Sequence, residues 1–170
     1  MATITTTARL RLREFEFEDA AFVHDLLNDP DFIAHIADRG IRSTADAERY
    51  LADGPMTSYA RHGFGLWLVE TLDGGLPAGM CGLIRREGLS DPDIGYAFLP
   101  AFRGAGYARE AARASCALAG SRFGIERLLA IVNPDNAPSI RLLQDLGFAD
   151  EGTVRLQPET SALRLFALAP

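Results

Sequence analysis

The clearest alternation in the chain is "ARLRLREF" at residues 8–15, where Leu10 and Leu12 fall on one side and Arg9, Arg11 and Arg13 on the other. Successive side chains of a strand point to opposite faces, so this stretch predicts a half-buried strand whose arginine face is plain solvent surface. The period then lengthens. In "EDAAFVHDLLND" (18–29), Ala21, Phe22 and Leu26 recur at helical spacing, and the pattern stops at Asp29-Pro30. A second helix is expected from Ser43 or Thr44 through "ADAERYLA", with Pro55 disturbing its continuation. From Gly63 the texture changes to "FGLWLVETL", "AGMCGLIRRE" and "DIGYAFL", separated by turns such as "DGGLP", which predicts three strands of an antiparallel meander.

Beyond the meander the order alternates. A helix is expected over about 105–121, an apolar strand in "RLLAIV" (127–132), a helix over about 137–146, and strand segments in "FADEGTVRL" and "ALRLFALA". Helices mixed with sheet in this order make the class α+β. No internal repeat or low-complexity linker divides the chain, and 170 residues, 48% of them hydrophobic, suit one domain with a substantial core.

Charge and composition remove several functions. A net charge of −6 without a long basic block argues against a nucleic-acid binder, whose affinity comes largely from neutralising phosphates. All 17 basic residues are arginine. The absence of lysine excludes a lysine Schiff base and the lysine of an ordinary phosphate-loop NTPase. Cys81 and Cys116 are too far apart for a zinc pair or a redox CxxC motif, and read as small buried hydrophobes. His24, His35 and His62 have neither HxH nor HExxH spacing, so no metal site is expected. The start "MATITTTARLRLREF" lacks the apolar core of a signal peptide, and no stretch approaches the roughly 18 apolar residues of a membrane span. A soluble, cytoplasmic protein with no membrane or nucleic-acid partner is expected.

Candidate chemistry starts at "PAFRGAGYAREAA" (100–112), a glycine-rich turn between an apolar strand and an alanine-rich helix. Unpaired N–H groups and the positive end of the dipole attract an anion to a helix start, and glycines let a phosphate approach the backbone. The dinucleotide fingerprint GxGxxG or GxGxxA fails here because the third position after Gly106 is Arg109. The bland alternative is a turn whose glycines supply unusual φ angles. A second constellation, "NPDNAPSIRLLQDLGF" (133–148), follows the strand "LLAIV". Asn136 suits an N-cap, Pro138 the first helical turn, Gly147 the left-handed position after the helix, and Phe148 its hydrophobic contact. Those features explain a helix, but they require neither Asn133 at the strand end nor Ser139 in the first turn.

Taken together, Arg103-x-x-Gly106-x-Ala108 and Asn136-x-x-Ser139 through Gly147-Phe148 resemble the two cofactor segments of the GNAT superfamily of acetyl-CoA-dependent N-acetyltransferases. "IGYAFLPAFRGAGYAREA" and the opening "RLRLREFEFEDA" are similar to the branch containing ribosomal-protein N-terminal (alanine/serine) acetyltransferases. The resemblance covers residues 8–169 as one N-acetyltransferase domain. It implies a mixed, largely antiparallel sheet flanked by helices, splayed between two central strands where acetyl-CoA enters as cosubstrate. Arg103, Gly104, Ala105, Gly106, Tyr107 and Ala108 would surround the pyrophosphate, with Arg103 adding charge unless it serves as a surface ion-pair partner. A bulge at "AFLP" would free backbone N–H groups of Phe98 and Leu99 as oxyanion donors. Asn136 would meet the pantetheine arm, as would Asn133, which could equally form only a turn.

Proton handling is less defined. Many family members carry a tyrosine general acid four residues before the Gly-Phe pair, where this chain has Leu143. Ser139 is then a candidate hydrogen-bond donor to the departing thiolate, or a helix-start residue only. Asp93 is a candidate base acting through water, or a turn aspartate of "SDPD"; Tyr96 is a candidate at the acceptor site, or a half-buried aromatic. Glu110 in the first turn of the alanine-rich helix would serve the dipole alone. His35 and Arg39 lie where acceptor recognition would sit by analogy. The acceptor is a primary amine, either a small molecule or a protein N-terminus, and the protein a monomer or homodimer. The competing readings are a noncatalytic acyl-CoA-binding or sensor module and a ligand-free interaction domain.

Overall fold

The computed structural model describes residues 2–170. One sheet of eight strands runs through it in the order β1-β2-β3-β4-β5-β6-β8-β7. The strands are β1 (Thr3–Thr6), β2 (Leu10–Arg13), β3 (Leu66–Thr71), β4 (Pro77–Ile84), β5 (Asp93–Phe98), β6 (Leu128–Val132), β7 (Ala149–Val154) and β8 (Leu163–Leu168). Every neighbouring pair is antiparallel except β5 and β6, which run parallel. This is the mixed, mostly antiparallel α+β sheet expected from the resemblance.

Alternation along the strands divides the core into two layers. Leu10, Leu12, Trp67 and Val69 face one side, where they meet Ala111, Ala112, Cys116 and Ala119 of α5 (Tyr107–Ser121) and Leu143 of α6 (Ala137–Asp145). Leu68 and Met80 face the other, against α1 (Ala20–Leu27), α2 (Pro30–His35) and α3 (Thr44–Leu51) through Val23, Leu26, Phe32, Ala47 and Leu51. Alanines on the buried face of α5 let its backbone lie close to the sheet. Both cysteines are free and buried, with Cys81 Sγ 3.3 Å from the Ser115 hydroxyl.

Local chemistry explains the element ends. Ser43 caps α3 by accepting from the Asp46 N–H. After α3 the chain widens into a π-type turn over Ala52–Met56 that absorbs Pro55, and resumes as α4 (Thr57–His62). The Thr57 hydroxyl donates to the Ala52 carbonyl at 2.8 Å where the turn rejoins the helix. Asp29-Pro30 both ends α1 and opens α2, since Asp29 accepts from the Phe32 N–H and Pro30 takes the first helical position.

Two expectations for the first strand region change. Residues Thr3–Thr6 form β1, paired with β2 along the sheet edge. A run of threonines has no apolar alternation, so only its β-branched character hints at a strand. The arginine face of β2 is also no plain solvent surface. Arg13 is 8% exposed, paired with Asp19 at 2.8 Å and lying 3.5 Å from Glu70. Arg11 also pairs with Glu70, which stands opposite it on β3.

Candidate active site

The site is built where the sheet opens. β5 and β6 meet at Asp93 and Leu129 only, with the Leu129 N–H donating to the Pro92 carbonyl at 2.9 Å. Past that point the two strands share no ladder, while β5 continues to Phe98 and β6 to Val132. Their separation leaves polar backbone edges without a strand partner, which is where a ligand can complete the sheet.

Two side chains bridge the mouth of this opening. Tyr96 of β5 and Ser139 in the first turn of α6 place their hydroxyls 2.6 Å apart. α6 is oriented for this by its own cap, because the Asn136 side-chain Oδ1 accepts from the Ser139 N–H at 3.4 Å. Leu143, one turn further, is 1% exposed and anchors the helix in the core. A tyrosine at that position could not be accommodated without repacking, whereas Tyr96 brings a phenol to the opening from the neighbouring strand. Burial pushes the Tyr96 hydroxyl up to about 12, against the opposing hydrogen bond with Ser139, so it stays protonated at neutral pH.

The strand end differs from the expectation. The β4–β5 register runs unbroken from Gly79–Phe98 to Ile84–Asp93, so no bulge occurs at "AFLP". The Leu99 N–H is already used, donating to the Ala78 carbonyl at 3.0 Å. In an antiparallel ladder the amides of successive residues point to opposite sides. With Leu99 facing β4, the Phe98 N–H turns toward the opening, while the Phe98 carbonyl accepts from Arg103 Nε at 3.0 Å. The Leu99 half of the oxyanion expectation is therefore corrected: its amide belongs to the sheet.

The glycine-rich turn follows at once. Gly104 and Gly106 have φ of +80° and +84°, a region that favours glycine, and Gly106 stands at the N-cap of α5. Among the described residues, the N–H groups of Gly104, Ala105, Gly106, Tyr107, Ala108 and Arg109 meet no backbone or side-chain acceptor. A Cβ built on Gly104 would meet nothing within 4 Å, so the backbone lies open. Free donors, an exposed backbone and a helix dipole together fit a pyrophosphate.

What holds this turn was not legible. Arg9 donates from Nη1 to the Ala105 carbonyl at 2.8 Å and from Nε to Glu110 at 2.7 Å, and its guanidinium lies 4.4 Å above the Tyr107 ring. Glu110 also accepts from the Thr7 hydroxyl at 2.5 Å, so it serves as a tether as well as a first-turn carboxylate. Charge complementarity across about a hundred positions leaves no local signal. The side chain of Arg103 is likewise spent elsewhere: Nη1 donates to Asp31 at 2.6 Å and Nη2 to Asp29 at 2.5 Å. Its backbone N–H donates to the Pro100 carbonyl at 3.2 Å. The ion-pair alternative is the one realised, and the charge expected for the pyrophosphate is engaged by carboxylates.

Asp93 is the first residue of β5 rather than a turn aspartate, 1% exposed and bridged by Arg86 at 2.8 and 2.9 Å. Burial pushes its carboxyl up to about 6, while the Arg86 charge and hydrogen bonds pull it back. By alternation Asp93 shares the α1–α3 face with Ala97 and Leu99, opposite Tyr96 and Phe98. Asn133 takes the turn role: its side chain accepts from the Asp135 N–H at 2.9 Å and its carbonyl from the Asn136 N–H at 2.9 Å.

A sheet splayed between parallel neighbours, with a free-amide turn at one end and a hydroxyl pair across its mouth, defines a class of acyl-transferring folds. Residues 9–149 match the acetyltransferase (GNAT) domain, and the chain belongs to that family and is an N-acetyltransferase. It is 30% identical over 156 residues to the uncharacterized protein YkkB of Bacillus subtilis, spanning 90% of this chain and 89% of that one. It is 28% identical over 147 residues to the uncharacterized N-acetyltransferase YnaD of the same organism, covering 86% and 83% of the two chains. In fold it is similar to RimL, a ribosomal α-N-protein acetyltransferase solved in complex with coenzyme A. That likeness has a TM-score of 0.83 at 18% identity, over 98% of this chain and 97% of that one. The resemblance to the ribosomal-protein branch thus extends to the fold.

Proposed function

We propose that residues 8–169 form a domain that transfers acetyl from acetyl-CoA to a primary amine, a protein N-terminus or a small amine, by direct attack on the thioester. The observation that carries this reading is the Tyr96–Ser139 hydroxyl pair across the β5–β6 opening, next to a turn with six unengaged amides. The amides of residues 104–108 receive the pyrophosphate, and the Asn136 side chain, which also caps α6, meets the pantetheine arm.

The amine, in its neutral form, adds to the thioester carbonyl, and the Phe98 N–H supports the resulting oxyanion. The C–S bond then breaks. The Tyr96–Ser139 pair, its hydroxyls 2.6 Å apart, donates a hydrogen bond or proton to the departing thiolate. Asp93, on the opposite face of β5, accepts the ammonium proton through water. No covalent intermediate with the protein is required.

The test combines binding with turnover. Acetyl-CoA should raise the thermal stability of the protein, and free thiol should appear when peptides, polyamines, amino acids and aminoglycosides are offered. Tyr96→Phe and Ser139→Ala should each lower kcat by roughly 100-fold, within the range for general acid catalysis, while leaving coenzyme affinity nearly intact. Stabilisation without turnover on any amine would instead support an acyl-CoA-binding module; no stabilisation would remove both readings.

A further inference from the structure

Arg103 stands between the glycine-rich turn and helix α2. All three guanidinium nitrogens make a hydrogen bond, Nε to the Phe98 carbonyl, Nη1 to Asp31 and Nη2 to Asp29. Asp29 is the critical partner. Its side chain is 6% exposed, and the same oxygen that takes the Arg103 hydrogen bond accepts from the Phe32 N–H at 3.3 Å, starting α2. Removing the arginine would leave a buried carboxylate without its cation, a strongly unfavourable arrangement. Phe32 packs α2 into the core, and Arg103 adds the ionic tie between its N-terminal end and the end of β5.

Immediately after Arg103 comes the open turn. Gly104 adopts φ of +80°, and the unengaged amides begin there. On its far side the turn is held through the Ala105 carbonyl by Arg9. An anion gathered by these amides therefore acts on a segment flanked by the side chain that grips α2, and α2 ends at His35, four residues before Arg39.

We propose that Arg103 is a positioning residue that couples the coenzyme turn to helix α2, so that filling the turn also orders the acceptor side. The inference rests on the turn being the coenzyme site. It differs from a phosphate-binding role for Arg103 in the sign of one effect. If Arg103 served the phosphates, neutralising Asp29 and Asp31 would release it to them and coenzyme affinity would hold or rise. As a tie, Arg103→Met and the Asp29→Asn/Asp31→Asn pair should loosen the same contact, and combining them should add nothing further.

Amide hydrogen exchange on the full chain, with and without saturating coenzyme A, reads this directly. In the wild type, coenzyme A should slow exchange in both the turn (104–110) and α2 (31–35). In Arg103→Met the turn should remain protected while the slowing at α2, about tenfold for a typical coupling between sites, should be lost. Arg103→Lys keeps the charge but not the fork to Phe98, and should restore part of the response. Arg164→Met, which removes a surface pair with Asp150, should change neither segment. Retained near-ultraviolet dichroism checks that each variant is folded. Protection of the turn without any response of α2 in the wild type would overturn the coupling alone. Tighter coenzyme binding in the Asp29→Asn/Asp31→Asn variant, with weaker binding in Arg103→Met, would overturn it in favour of phosphate binding. No protection of the turn itself would overturn the coenzyme reading and the coupling with it.

Discussion

At the residue scale, the chemistry divides between the two faces of one strand. Tyr96 and Ser139 pair their hydroxyls on the α5–α6 side, and Asp93 lies buried with Arg86 on the other. The pKa of Asp93 gives two predictions of opposite sign. Its carboxyl moves from an ordinary 3.8 to about 6 because burial disfavours the charge. Between these values the folded chain keeps a proton that the unfolded chain has lost. Stability contributed by this group is therefore full below about pH 4 and falls as pH rises to about 6. Urea unfolding of wild type and Asp93→Asn across pH 4–7, followed by the fluorescence of the single, fully buried Trp67, should show wild type losing ground to the variant over that window. Turnover should do the reverse: kcat/KM should rise through about pH 6, and Asp93→Asn should lose that limb.

At the scale of elements, the two helices that begin at the opening do so by different means. α6 is capped by Asn136, whose side chain accepts from the Ser139 N–H. Asn136→Ala should cost about 1 kcal/mol by chemical denaturation, and should lower turnover further by loosening the Ser139 hydroxyl. α5 has no side-chain cap and starts from Gly106 at φ +84°. Alanine at Gly104 or Gly106 should cost roughly 1–2 kcal/mol for the left-handed backbone alone. The two should differ in one respect. A Cβ at Gly104 finds open space, whereas at Gly106 it approaches Arg9 to 3.3 Å. Gly106→Ala should therefore also disturb the Arg9 clasp, seen as faster exchange of the β1–β2 turn.

At the scale of the whole molecule, the sheet is continuous on paper and weakly joined at one place. β3, β4 and β5 share long antiparallel ladders, while β5 and β6 are joined at one register position. Backbone groups without a strand partner exchange readily unless a ligand covers them. The amides of Tyr96 and Phe98 should exchange faster than those of Leu68 and Val69, and acetyl-CoA should slow them selectively.

Most secondary elements, the class of fold and the location of the glycine-rich turn were determined by the sequence alone, because periodicity, caps and turn residues act over a few positions. The threonine strand β1 escaped because it lacks an apolar period, and the absent bulge at "AFLP" because strand register is set by neighbouring strands. Asp93 reads equally as a turn residue and as a base in sequence; pairing with Ile84 places it in β5, and Arg86 buries its carboxylate. The partners of the arginines were decided only by tertiary structure. Arg103 meets Asp29 across 74 positions and Arg9 meets Glu110 across 101, and nothing local distinguishes these side chains from solvent-facing charges. A sequence specifies which charges exist and which segments are helix or strand; the pairing of those charges, and hence whether an arginine serves a ligand or holds a helix, depends on packing that brings distant segments together.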